Sequence, residues 1–449
     1  MLLLDRTRFL FTFAGACIGG EWTTAGLRAA LGRAAANRPL RVPGLPKRLL
    51  SHFPQAPGYG PLLTFLVADA KLMRALERPV GRVLAKRLKR FVRPKMEAPP
   101  RHLGALVVPP LTTEAALAEW LGVDPGRLRW YADTTGRNRK HPPGPLRTYR
   151  HRWVAKPNGR SRLLEIPTFA LKQIQHKILA GILNPVPPHP AAHGFRPGRS
   201  AVTNAAAHCG QAVVIRFDLA DFFPSVPAAR VARTFRTIGY PAAVARLLAG
   251  LCTTRTPADV WKARPAPAPN GSDHVARLRL AGRHLPQGAP TSPALANLAA
   301  HRLDRRLAGL AARLDATYTR YADDLTFSGG EACARRVNRL ARLVAAVAGE
   351  EGFALNARKT RVMRRGGRQT VTGVVVNAKP NVPRAEFDRL KATLTNCVRK
   401  GPASQNREQR ADFRAHLAGR VAHTAAITPQ RGRKLWKLFD AITWDEPTT

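Results

Sequence analysis

ATYTRYADDLTFSG, residues 316–329, sets two short β-forming runs on either side of the acidic pair Asp323-Asp324. Aromatic and β-branched residues flank two turn-prone acids, which predicts a hairpin with both carboxylates at its tip. Alone, such a pair reads as turn chemistry, because Asp bonds readily to nearby backbone. Two upstream segments shift the weight toward function. VVIRFDLADFFPSV (213–226) is a β run leading into Asp218, then a turn carrying Asp221, Phe222 and Phe223. LPQGAPTSPALANLAAHRLD (285–304) is a Gly/Pro loop running into a helix, with Ser292 expected as N-cap and Pro293 at the first helical position.

A carboxylate ending one strand and a pair at a neighbouring hairpin tip can converge into a cradle of hard oxygen donors, the kind Mg²⁺ prefers. Nucleotidyl transfer needs such a cradle. Two ions about 3.5–4 Å apart activate the attacking hydroxyl and steady the leaving pyrophosphate. The charge of the chain sharpens the point. Its 449 residues include 74 Lys+Arg against 28 Asp+Glu, a net charge of +46. In that context adjacent acids are costly unless a cation offsets them. A GC-rich coding sequence would favour Arg over Lys, but it would not remove the acids. The excess calls for a polyanion, nucleic acid first and an anionic membrane surface second.

Hydrophobic residues make up 45%, which excludes disorder as the dominant state. Length alone suggests roughly two to four domains. Cys17, Cys209, Cys252, Cys333 and Cys397 are scattered without a CxxC, against a disulfide framework or structural zinc and in keeping with a reducing cytoplasm. No apolar run reaches membrane-spanning length, so no membrane partner is expected. The start, MLLLDRTRFLFTFAGACIGG, reads as a terminal amphipathic helix rather than a signal peptide.

Residues 1–105 form a basic, proline-punctuated extension. Within it, 36–61 is turn-rich without a clear period. Val80, Val83, Leu84, Leu88, Phe91 and Val92 then recur at helical spacing among Lys86, Arg87, Lys89, Arg90 and Arg93. Two readings of that helix stand, a phosphate-gripping face or a solvated basic one. The Pro-rich stretch 98–110 marks a boundary. LTTEAALAEWLGV then predicts a helix with a Thr N-cap and Glu114 in its first turn. From about 150 the pattern is mixed α/β, with 256–275 as a loop insertion. Helical periodicity returns over 383–445.

These motifs, in this order, resemble those of reverse transcriptases. YADD at 321–324 resembles the catalytic hairpin, FDLADFF (217–223) the first carboxylate motif, and LPQGAPTSP (285–293) the motif touching nucleotide and template. GFALNARKTRVM (352–363) and TVTGVVVN (370–377) are similar to the next palm motif and to the primer-gripping strand. KPNGRSRLLEIPTFALKQIQHKIL (156–179) and HGFRPGRSAVTNAAAH (193–208) are similar to bacterial fingers motifs. Asn204 to His208 resembles the NAxxH signature of retron enzymes, and Val371-Thr372-Gly373 their VTG signature. Read from the residues alone, the first is an Ala-rich helix with Asn204 and His208 on one face, and the second a strand ending at Gly.

The resemblance implies an α+β right-hand polymerase: the extension (1–105), N-terminal helices and fingers (106–212), palm (213–380) and a helical thumb that recognises RNA (381–449). It implies that Asp218, Asp323, Asp324 and the Leu219 carbonyl hold two Mg²⁺. Phe223 would be a steric gate against ribose. Gln287 and Gly288 would position the nucleotide, and Lys156 and Arg162 would embrace its triphosphate. Lys359 would act near pyrophosphate, as acid or as neutralising charge. Asp221 is structural or touches nucleotide. Tyr321 would meet the primer end, and Arg196 and Arg199 the template or phosphate. Trp436 reads as thumb core.

The implied activity is RNA-directed DNA synthesis from dNTPs in the cytoplasm. The template would be a structured noncoding RNA of the same locus, primed from a guanosine 2′-OH, and the product a branched multicopy single-stranded DNA. An effector protein and anti-phage defence come with the resemblance. Three other readings stand beside it: a group II intron-like or other bacterial reverse transcriptase, a noncatalytic RNA-binding polymerase shell, and a template-independent defence polymerase.

Overall fold

The β-forming runs of the sequence fold as strands in the computed structural model, which describes residues 2–34, 42–77, 94–155, 161–265 and 273–444. β1 (Tyr149–Ala155) and β2 (Ser161–Pro167) pair with each other. β3 (Val213–Asp218), β4 (Ala316–Tyr321), β5 (Asp324–Gly329) and β6 (Arg361–Arg364) make an antiparallel sheet in the order β4-β5-β3-β6. β7 (Thr370–Val371) and β8 (Val374–Val375) form a short hairpin.

The four-stranded sheet has two unlike faces, because side chains alternate along each strand. Ile215 pairs with Phe327 and Phe217 with Leu325, all buried. The ring of Phe327 meets those of Phe217 and Tyr318. Helix His301–Arg313 packs against β4 and against helix Val337–Glu350. Arg216, Asp218 and Asp324 stand on the other face.

A buried charge cluster ties sheet to helix. Arg320, fully buried on β4, donates to both carboxylate oxygens of Asp304 on helix His301–Arg313, at 2.8 and 2.6 Å. Its remaining donor reaches Asn297 Oδ1 at 2.9 Å and the Ala322 carbonyl at 3.0 Å. Tyr318 donates to Asp304 at 2.8 Å. Every strong group has a partner, which is what makes charge tolerable at this depth.

The chain divides into two compact units. One holds Met1–Arg150, Pro167–Val186 and Ala228–Pro257, and the regular elements among its described residues are helical apart from the start of β1 and the end of β2. Its first 77 residues carry their own core, including Phe9, Phe13, Leu27, Leu45, Leu49, Leu62 and Leu66. The other unit holds the sheet and ends in helices Arg384–Lys400, Phe413–Ile427 and Pro429–Asp440 around Leu394, Val421 and Leu435. Trp436 packs against that core and meets Phe439 at 5.2 Å. Among the described residues, no helix is long and apolar enough to cross a membrane.

Four local expectations need correction. The turn-rich stretch 36–61 contains helix Leu45–His52, whose Pro46 sits in the first turn, where its missing N–H costs nothing. The insertion 256–275 includes helix Ala258–Lys262 and the start of helix Asp273–Ala281. Thr291, not Ser292, precedes the helix at 292–299; the Ser292 hydroxyl donates to the Pro286 carbonyl instead, at 2.7 Å. TVTGVVVN is a hairpin rather than one strand, turning at Thr372 and Gly373, both at positive φ. The basic segment 80–93 lies outside the described residues.

Replacing Arg320 by Met, or Asp304 by Asn, leaves one buried charge without its partner. Either change is expected to cost about 3–5 kcal/mol of stability, measured by urea unfolding of the purified protein.

Candidate active site

Three acids meet where the sheet ends. Asp218 is the last residue of β3 and Asp324 the first of β5, and the two are direct register partners. Antiparallel partners place their Cβ atoms roughly 4.5–5.5 Å apart. Asp323 lies beside them in the two-residue turn between β4 and β5. Ala322 adopts φ +57°, a conformation side chains rarely take outside tight turns. The turn is held from two sides. The Leu219 N–H donates to the Asp323 carbonyl at 2.9 Å, and Arg320 holds the Ala322 carbonyl. Beneath it runs Gly194, where a Cβ would stand 2.6 Å from the Ala322 nitrogen, so only glycine fits.

Each outer acid has a cationic partner. Lys359 Nζ lies 2.7 Å from Asp218 Oδ1, and Arg216 Nη2 lies 2.9 Å from Asp324 Oδ2. Burial pushes the Asp323 carboxyl above its usual range, and the charges of Asp218 and Asp324 push it further. Burial also raises Asp324, against the pull of Arg216.

A cleft of about 680 Å³ opens on Asp218 and Asp323, while Asp324 stands beside it without lining it. Its walls bring together Asp218, Leu219, Asp323, Phe223, Gln287, Arg162 and Lys359. Phe223, not Phe222, is the less buried ring; Phe222 packs on Phe353. Gly288 stands back from the cleft. It takes φ +137°, and a Cβ there would come within 3.0 Å of the Glu165 carbonyl. Gln287 accepts from the Glu165 N–H at 2.9 Å, which fixes that loop to β2. Tyr321, Arg196 and Arg199 do not line the cleft. Lys156 lies outside the described residues. Asp221 is bound to Arg279 at 3.0 Å.

Several lining residues gave no signal in the sequence. Phe195 takes φ +58° and sets its ring 6.0 Å from that of Phe223. Arg264 comes from the segment read as an insertion, and Arg279 from helix Asp273–Ala281, which starts within that segment and runs past it. Arg216, which pairs with Asp324 but does not line the cleft, was visible only as one residue of a β run, yet period-two alternation puts it on the face of Asp218.

The model of the family described as reverse transcriptase (RNA-dependent DNA polymerase) matches residues 154–391. The retron Mx65 reverse transcriptase of Myxococcus xanthus is 43% identical over 328 residues, 73% of this chain and 71% of the relative. The chain belongs to the reverse transcriptase family. The retron Mx162 reverse transcriptase of Myxococcus xanthus is 38% identical, covering 72% of this chain and 65% of the relative. The retron Ec86 reverse transcriptase of Escherichia coli is 30% identical over 53% and 66%. This is a retron-type reverse transcriptase with the right-hand polymerase fold, an RNA-directed DNA polymerase whose partners are RNA and DNA.

In this reverse transcriptase the NAxxH segment braces the sheet. His208 Nδ1 lies 2.7 Å from Ser328 Oγ and Nε2 lies 2.7 Å from Thr319 Oγ1, on the face that carries the acids. Burial pushes its ring down to about 3, so it is neutral. Asn204 is fully buried one turn earlier. The helix here is short, Ala201–Ala206, and carries Asn204 but leaves His208 in the turn after it; the VTG turn joins that helix, with Thr372 Oγ1 donating to the Ala201 carbonyl at 2.8 Å.

Reverse transcriptases generally use divalent metal ions. Among the described residues, no group of three or more His, Cys, Asp or Glu is drawn into metal-holding geometry. The donor set still fits a hard cation in kind: three carboxylates at one strand end, and a Leu219 carbonyl that none of the neighbouring backbone bonds uses. Two of those carboxylates already take up positive charge, from Lys359 and Arg216, and burial disfavours the charged form of the third.

That cost has a sign. A carboxyl whose folded-state value is raised contributes stability below its ordinary value, 3.8 for Asp, and loses it as pH rises through the raised one. Asp323→Asn, in metal-free buffer, is therefore expected to melt at higher temperature than wild type at pH 7. The gap should close as pH falls toward the ordinary Asp range, read from paired melting curves across pH.

Proposed function

We propose that this enzyme copies a structured noncoding RNA into branched multicopy single-stranded DNA, within an anti-phage system that includes an effector protein. The carrying observation is the pairing of Asp218 with Asp324 beside Asp323, at the mouth of a cleft lined by cations. Asp218, Asp323, Asp324 and the Leu219 carbonyl are the residues to hold two Mg²⁺, which when bound would activate the attacking hydroxyl and offset charge on the leaving pyrophosphate.

The chain's own groups do the rest. Arg162 reaches the dNTP triphosphate from the fingers side, where a guanidinium suits bidentate phosphate contact. Lys156 belongs to the same motif. Lys359 leaves Asp218 for the departing pyrophosphate. The Phe223 ring, braced by Phe195, closes the space a ribose 2′-OH would need. Gln287 presents its edge to the nucleotide while its backbone is held by β2, and Gly288 lets the two backbones approach. The fingers (106–212), palm (213–380) and thumb (381–449) assignments belong to this reading, as does RNA recognition by the basic thumb. The strongest support for a retron role is the 43% identity to a retron enzyme.

Cells carrying the gene and its flanking noncoding DNA are expected to accumulate a discrete small single-stranded DNA, lost in the Asp323→Ala/Asp324→Ala double variant. Debranching enzyme should release it from RNA. An unbranched product would point to another priming mode. No product, with no extension of primed RNA by purified protein and Mg²⁺, would return the RNA-binding shell to first place.

Phe223→Ala is expected to admit ribonucleotides, raising their use relative to dNTPs at least roughly tenfold, since a site that excludes by shape discriminates by about 1–3 kcal/mol per small group. Primer-extension assays with matched rNTP and dNTP series measure the ratio.

A further inference from the structure

Helix Leu45–His52 turns Leu45 and Leu49 into the core of the first 77 residues. With 3.6 residues per turn, Lys47 is left outward, and Arg48 and His52 lie one turn apart at the helix edge. A groove of about 640 Å³ is walled by these three, by Phe65 of helix Tyr59–Ala68, and by Asp69 and Lys71 where helix Ala70–Glu77 begins.

The groove is basic with its acid already spent. Asp69 is the one carboxylate among the lining residues. Arg48 Nε donates to its Oδ2 at 2.7 Å and Nη2 to its Oδ1 at 2.9 Å, while the Leu72 N–H also reaches Oδ1, at 2.8 Å. Arg48 Nη1 donates to the Pro43 carbonyl at 2.6 Å. Lys47 and Lys71 are exposed, and the groove offers them no carboxylate but the one Arg48 holds. Between charges there is a ring. The exposed His52 imidazole lies 4.9 Å from the Phe65 ring and 4.6 Å, edge to face, from that of Phe53. Phe53 meets Trp22 in turn, and the Trp22 Nε1–H donates to the Phe53 carbonyl at 2.8 Å. His52 is thus an exposed ring backed by an aromatic cluster.

Two unpaired ammonium groups and a backed ring match a strand whose phosphates and base faces are both open. A duplex hides its base faces, and an acidic peptide has no use for the ring. Aromatic or imidazole stacking beside basic side chains is how unpaired RNA is held. We propose that this groove binds an unpaired stretch of RNA, with Lys47 and Lys71 on its phosphates and a base stacked on His52. RNA is favoured over DNA because an RNA-directed enzyme must hold its RNA before any product exists. The inference rests on the RNA partnership of the enzyme and not on the branched product.

The test uses the full chain, its catalytic cleft saturated with an unlabelled primer–template duplex. Binding of a labelled oligouridylate of about 12 nucleotides, within the usual span of single-strand sites, is followed by anisotropy across a salt series. Lys47→Ala/Lys71→Ala is expected to weaken it at least roughly tenfold and to make the slope of log affinity against log salt shallower by about 1.4, or about 0.7 per lost phosphate contact. Arg28→Ala/Arg74→Ala removes the same charge from the same helices without touching the groove, and should change affinity less than about twofold, since salt screens distant charges. His52→Ala should weaken binding at least roughly fivefold with the slope unchanged, the mark of a lost stack. His52→Tyr, which keeps a ring, should restore most of the affinity. Melting curves show that each variant is folded, and extension of the primer–template should keep its rate in all of them.

Unchanged affinity and slope in folded Lys47→Ala/Lys71→Ala overturn the proposal. An equal loss in Arg28→Ala/Arg74→Ala overturns it too, by reducing the effect to general charge. Tighter binding of oligodeoxyuridylate at the groove would assign it to the product strand, and displacement of the RNA by oligoglutamate at equal concentration would assign it to an acidic protein; either overturns the RNA assignment. The expected losses in an enzyme that yields no branched DNA support the groove and overturn only the reading of the product.

Discussion

The buried pair of Asp304 and Arg320 is the constraint on which the acid cluster depends. Arg320 sits one residue before Tyr321, and its side chain points away from the acids into the helical layer. From there it grips Asp304, Asn297 and the carbonyl of Ala322. Its backbone is used as well, accepting from His193 and donating to Ala191. Asn297 closes the circuit by donating to the Gly194 carbonyl at 2.9 Å. One side chain therefore fixes the turn, the strand before it, the helix beneath it and the glycine segment beside it. A hydrophobic substitute of similar volume could match its packing, but buried ion pairs earn their place through specificity more than stability. Here the specificity is register. A slip of one residue in β4 would turn Arg320 toward the cleft and Tyr321 into the core.

The same logic explains how a chain of charge +46 holds three carboxylates together. Long-range attraction from 74 basic residues is screened by salt within about 10 Å. Local partners decide the matter. Lys359 and Arg216 bracket the outer acids, while Asp323 sits in the turn with its charge poorly offset. The arrangement is stable enough to persist and costly enough to favour a cation. Strain gathers in the same place: Ala322, Asp221 and Phe195 all take positive φ around one cleft. Such backbone persists only where the surroundings over-determine it: Arg279 holds Asp221, Arg320 holds the Ala322 carbonyl, and the Phe195 ring meets that of Phe223.

The acid cluster was legible because its signals are local. Period-two alternation on either side of Asp323-Asp324, and again before Asp218, identifies strand ends without any tertiary knowledge. The Thr113 cap of helix Glu114–Leu121 was legible for the same reason, with its hydroxyl accepting from Ala116 at 3.1 Å. What stayed hidden depends on distant partners. Nothing near Arg320 in the sequence announces Asp304, and nothing near His208 announces Ser328, 120 residues away. Helix Leu45–His52 was obscured because prolines and glycines around it dominate a composition-based reading, although Pro46 suits a first turn. Residues 256–275 looked like a loop because Pro and Ala carry little periodic signal there.

The NAxxH segment shows why a motif can matter without touching substrate. His208 is neutral and spans two hydroxyls on neighbouring strands, Thr319 of β4 and Ser328 of β5. A neutral imidazole has one donor and one acceptor, so it needs hydroxyls, which serve as either. A cationic side chain in its place would be buried without a counter-charge, and an apolar one would leave both hydroxyls unpaired beneath it. The hairpin that carries Asp323 and Asp324 is thus pinned twice, by Arg320 from the helical side and by His208 from the opposite face. Two pins on opposite faces resist both slip and twist, which one alone would not, and that is what holds three acids in place while template and product move past them.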